Sequence, residues 1–144
     1  MNAEEFVDHS VEFLEAAKKL KVSKPFLFKP TFYCAIHSIE LALKGHLIHQ
    51  KFSPEKLRRR AFGHNIDNLL EQALIDGALD DSVINFHDQK AIKWGSDYYA
   101  GKCFEYPELM YSTHPIGKWI MISEKLIKNL REKIKLDGKG KKTY

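Results

Sequence analysis

Two groups of residues have the types and spacing to do chemistry. The first is Arg58-Arg59-Arg60-Ala61-Phe62-Gly63-His64. Arginine recognises phosphate through a planar, two-pronged fork. A histidine opening a helix has its cationic form disfavoured by the dipole, and the exposed N–H groups there attract an anion. Together these residues could bind a phosphate or an RNA backbone. Arg58 and Arg60 are binding candidates. The structural alternative is that His64 hydrogen-bonds backbone and pins the turn between two helices. The second group is His37, Glu40 and Lys44, spaced three and four apart, with Tyr33 one turn above. That spacing stacks them along one stripe of a helix. The same helix is apolar nearly all round, so its charges must pair or line a cleft. Either they form a polar binding groove or register-fixing network, or Glu40–Lys44 is a surface pair of about 0.2–0.5 kcal/mol.

Other chemistry finds less support. His46, His49 and His64 have no second pair at zinc-binding spacing and read as solvated helix-end histidines, so no metal is expected. His87 falls on an apolar stripe and reads as a core histidine. Cys34 suits the core, and Cys103 sits in a loop with no partner in sequence. No glycine-rich phosphate loop occurs, and no cofactor is expected.

These residues need a scaffold, and the composition supplies one. The chain has 144 residues, 44% hydrophobic and 12% aromatic. That suffices for one domain with its own core and excludes disorder as the dominant state. Residues 51–60 carry a net charge of +4, residues 61–114 carry −6, and residues 115–136 carry +4. Two basic segments flanking an acidic middle are a candidate phosphate footprint, or else solvated helix faces. No run approaches the ~18 apolar residues of a membrane span, and no membrane association is expected. The acidic start Met1-Asn2-Ala3-Glu4-Glu5 is unlike a secretory signal. With two isolated cysteines, the expectation is a reduced, cytoplasmic protein.

Helix follows helix, with no convincing strand. The 3.6-residue period places a first helix over about 3–20 and a second, with Pro30 in its first turn, to about His49. Ser53-Pro54-Glu55 starts a short basic third helix ending near Arg60. A fourth, capped by His64 or Asn65, stops before Gly77. A fifth, capped by Asp80 or Asp81, carries Ile84, His87, Ala91, Trp94 and Tyr98. Residues 101–114 read as an aromatic loop, and a last helix begins near Pro115. The fold class is all-α: one antiparallel helical bundle of about five to six helices over 1–136, with a mobile basic tail at 137–144.

His37-Ser38-Ile39-Glu40-Leu41-Ala42-Leu43-Lys44, then Gly63-His64-Asn65-Ile66-Asp67-Asn68-Leu69-Leu70, resembles the small bacterial HEPN-domain proteins. Phe104-Glu105-Tyr106-Pro107-Glu108 is similar to an aromatic Tyr-Pro motif met in several of them. The likeness covers roughly residues 1–135. It implies a helical bundle, often a homodimer, tied to nucleotide binding and to RNA cleavage in toxin, defence or RNA-processing systems. Active members usually carry Arg, four to six residues, then His, and two copies of this motif meet across a dimer to form the site. Arg58 and Arg59 fit that spacing to His64, so the resemblance implies Arg59 and His64 as catalytic candidates of a metal-independent ribonuclease, with His64 as general base or acid and Arg58 or Arg59 stabilising the charged phosphorane. The active motif usually opens a later helix, where this chain has neither residue. Two functions are therefore expected to compete: an RNA- or nucleotide-directed protein, and a non-catalytic dimerisation or partner-binding module.

Overall fold

The first helix begins where the sequence supplies a reciprocal cap. In the computed structural model, Asn2 Oδ1 accepts from the Glu5 N–H and Glu5 Oε1 accepts from the Asn2 N–H, so two orphan donors are satisfied. The structure describes residues 1–59, 65–97 and 116–141. Its helices are α1 (Ala3–Lys21), α2 (Phe28–His49), α3 (Pro54–Arg58), α4 (Ile66–Ile75), α5 (Phe86–Asp97) and α6 (Ile116–Lys141). Among the described residues there is no strand, and no helix is long and apolar enough to cross a membrane. The protein is an all-helical bundle.

Its centre is α2. Phe32, Ile36, Ile39, Leu43 and Leu47 are all fully buried, which explains why that helix is apolar on several sides. α1 runs antiparallel to α2, with Ser10 against Ser38 and Phe6 near Gly45. α6 runs parallel to α2, since Phe32 meets Trp119 and Gly45 meets Leu130. Where the three helices meet, the seam is made of hydroxyls. Ser10 Oγ donates to the Ser38 carbonyl at 2.8 Å, Ser38 Oγ donates to the Ser10 carbonyl at 2.8 Å, and Ser123 Oγ bonds Ser38 Oγ. All three serines are fully buried.

Small residues set how closely the outer helices approach. A Cβ on Gly95 of α5 would fall 2.4 Å from Ile36 Cδ1 and 3.1 Å from the Trp119 ring. Both neighbours are fully buried, so neither swings aside cheaply. Gly95→Ala is expected to cost about 1–3 kcal/mol in thermal or urea unfolding. A variant as stable as the wild type would show that α5 is not pressed against α2.

Turn chemistry sets the ends. α2 closes with Lys51 in the left-handed region (φ 78), Lys51 N–H bonded to Ile48 and Phe52 N–H to Leu47, a glycine-type stop made by lysine. Ser53 caps α3, and Asn65 caps α4 by accepting from the Asn68 N–H. Two boundaries differ from expectation. α5 begins at Phe86 rather than after Asp80 or Asp81, because Asn85 and Asp88 cap each other reciprocally while Asp80 organises a separate turn through Ser82. The later start rotates the buried stripe onto Asp88, Ile92, Gly95 and Ser96. His87 is consequently exposed rather than a core residue. α6 continues beyond the expected end at 136 to Lys141, and Asp137 pairs with His49 at 2.6 Å. The aromatic loop over 101–114 lies outside the described residues.

Candidate functional site

The stripe on α2 forms as the spacing predicts, but deeper. Glu40 is fully buried, with Oε2 at 2.7 Å from Lys44 Nζ and Oε1 at 3.4 Å from His37 Nδ1. It is therefore no surface pair. Burial pushes the Glu40 carboxyl up, yet hydrogen bonds from His37 and Lys44, with the Lys44 charge, outweigh it and hold the pKa at about 2. At neutral pH Glu40 is a fixed acceptor rather than a proton donor, because a useful general acid titrates near working pH. Its effect is to position two bases.

Each of those bases is oriented further. The Tyr33 ring stacks on His37 at 5.3 Å with an interplanar angle of 15°, and Phe13 meets His37 edge-on at 4.4 Å. Lys44 reaches the wall of a recess of about 290 Å³, lined by Met1, Phe6, Lys44, Pro54, Leu57 and Arg58. Arg58 stands at its rim, exposed, with a loose contact to Glu55 at 3.8 Å. Exposed pairs of this kind contribute little and exchange readily for another anion. The structure thus brings Lys44 and Arg58 to one recess, with Lys44 held by a buried carboxylate. Arg59 caps the end of α3 and is exposed. Arg60 and His64 lie outside the described residues, as does any geometry for the Arg59–His64 pair.

No protein-family model matches the chain. No curated protein and no solved structure matches it either. The residues themselves must carry the reading.

Sequence reasoning missed two other polar centres. His46 is fully buried rather than a solvated helix-end residue. Its Nε2 lies 2.9 Å from the Leu126 carbonyl and its Nδ1 3.4 Å from Lys133 Nζ. A carbonyl only accepts and an ammonium only donates, so the imidazole is neutral with its proton on Nε2. Burial and, to a smaller degree, the Lys133 charge outweigh the Leu126 hydrogen bond and hold its pKa at about 4. Asp88 is also fully buried and holds Lys118 at 2.7 Å and Lys125 from α6. Burial raises its carboxyl, but hydrogen bonds from Lys118 and Lys125 outweigh that and keep it below the ordinary range. The reciprocal Asn-x-x-Asp spacing at 85–88 was the available signal for the second centre. Nothing at His46 distinguishes a buried histidine from a solvated one. Among the described residues, no group of three or more His, Cys, Asp or Glu side chains is placed to hold a metal.

Proposed function

We propose that this chain is a HEPN-like protein that binds RNA or nucleotide phosphates through the recess between Lys44 and Arg58. One observation carries the reading: a buried carboxylate, Glu40, fixes a lysine at a recess whose rim is a loosely paired arginine. Such preorganised cations suit a phosphate. Arg59 and Arg60 extend the positive edge along the sequence, and the ordered pair of His-Ser-x-Glu and Gly-His-Asn motifs supports the same reading.

The test is salt-dependent RNA binding by fluorescence anisotropy. Neutralising about six phosphates implies affinity falling roughly a hundred- to thousandfold between 50 and 200 mM salt. Arg58→Ala, Arg59→Ala and Arg60→Ala together should lower affinity and flatten that slope. His64→Ala separates the roles of the histidine. A ribonuclease keeps RNA affinity and loses cleavage, whereas a turn-pinning histidine lowers the melting temperature. Folded wild type with no RNA affinity at low salt would sink the proposal.

A second reading, a dimerisation module, rests on a groove of about 500 Å³ between α4 and α5. Leu70, Leu74 and Phe86 form apolar lining, with Asp67 and Glu71 on one wall and Lys90 and Lys93 on the other. Walls of opposite sign are self-complementary under a two-fold axis, so the occupant would be a second copy.

A further inference from the structure

The phosphate reading leaves one feature of the α2 stripe without a role. Tyr33 is 43% exposed, yet its ring is held between neighbours rather than swinging in solvent. It stacks on His37 at 5.3 Å, and the Phe13 ring meets it edge-on at 6.4 Å with an interplanar angle of 70°. His37 is in turn tied to Glu40. The network that positions Lys44 therefore also braces an aromatic ring at the surface. An exposed ring with few rotatable bonds, held in place by packing, loses little entropy when something stacks on it.

Two bases share a face of α2 with this ring. Lys29 lies four residues before Tyr33 on the same helix and is exposed, so the two are surface neighbours. Lys44 lies eleven residues after Tyr33, close to three full turns. That puts it on the same face about 16 Å away. Base, aromatic and base along one face is the pattern of single-strand binders, in which cations follow the backbone and aromatic rings carry the bases.

Resting on the reading that the Lys44–Arg58 recess takes phosphate, we propose that Tyr33 is a base-stacking platform and that the natural ligand is single-stranded RNA running over the bundle surface from this ring to the recess. The 16 Å between ring and recess corresponds to about four or five stacked nucleotides at about 3.4 Å each. A single nucleotide does not span it. A duplex satisfies the recess but keeps its bases paired, and pulling one out costs a few kcal/mol.

Three ligands distinguish the terms: a short labelled oligo(A), the same strand in a duplex, and an abasic strand of equal length and charge. Wild-type protein should bind oligo(A) about tenfold or more tightly than either of the others. Tyr33→Ala should lose about tenfold to a hundredfold in oligo(A) affinity while keeping the salt slope, since no phosphate contact is removed. Tyr33→Phe should retain affinity. Tyr33→Trp should retain it and show tryptophan quenching on binding. An abasic strand that binds wild type as tightly as oligo(A) overturns the stacking platform without touching the phosphate recess, and it needs no variant to fold. Equal affinity of Tyr33→Ala and wild type for oligo(A) has the same meaning. Loss of all binding, abasic strand included, would remove the recess and the platform together.

Discussion

Glu40→Ala is expected to lower the melting temperature by roughly 10 °C. Removing a buried acid leaves His37 and Lys44 in place without their acceptor, and breaking a buried pair in this way costs about 3–5 kcal/mol. For a chain of this size each kcal/mol is about 2–4 °C. The pKa gives a similar figure. A carboxyl that titrates at about 2 instead of 4.5 contributes about 3 kcal/mol at neutral pH. That contribution is complete above pH 4.5 and is lost as the pH falls towards 2. A second variant separates the pair's specificity from its stability: Glu40→Leu with Lys44→Met replaces the pair by apolar groups and should recover much of the loss. It should nonetheless bind RNA more weakly, because the recess has lost a cation. If Glu40→Ala melts within about 1 °C of wild type by circular dichroism, Glu40 positions nothing.

His46 makes the fold sensitive to a different acid range. The folded protein resists protonating this imidazole until about pH 4, whereas an unfolded histidine takes up its proton near 6.5. Between those values the unfolded state binds more protons, so stability rises with pH across the window. It is fully present above pH 6.5 and lost progressively as the pH falls to 4, by about 3 kcal/mol in total. Urea unfolding at pH 7, 6, 5 and 4.5 measures the slope. His46→Gln keeps a donor for the Leu126 carbonyl but carries no titration, so its slope over that range should be nearly flat. Equal slopes in the two proteins would contradict a buried, neutral His46.

The fold was legible because its signals are local and repeated. The apolar girth of α2, the Ser53-Pro54 start and the cap at Asn65 each specify a helix or its end from neighbouring residues. The α2 stripe was legible for the same reason, since three- and four-residue spacing fixes which side chains meet. Depth was not legible. Whether Glu40 sits at the surface or under Lys44 depends on what packs over α2, and part of that cover is α1, whose Phe13 lies on His37. His46 failed on the same ground: its partners, Leu126 and Lys133, lie eighty residues away or more. His87 failed through register. Moving the start of α5 from the Asp80–Asp81 turn to Phe86 exchanges which face of the helix looks inward, and only the reciprocal cap between Asn85 and Asp88 reveals the shift.

The hydroxyl seam at Ser10, Ser38 and Ser123 bears on how the protein can respond to a ligand. Apolar helix contacts permit sliding, because one methyl group replaces another at little cost. A seam that joins three hydroxyls and two carbonyls has one axial register, and a one-turn displacement would strip the three buried hydroxyls of their interhelical partners. α1, α2 and α6 are thereby locked as one body, with Tyr33, Glu40 and Lys44 at fixed heights on it. Arg58 belongs to α3, a single short helix outside that seam. A ligand at the proposed recess would therefore meet one rigid jaw and one lighter one, and any closure around it would be travel of α3 towards α2 rather than a piston stroke through the core.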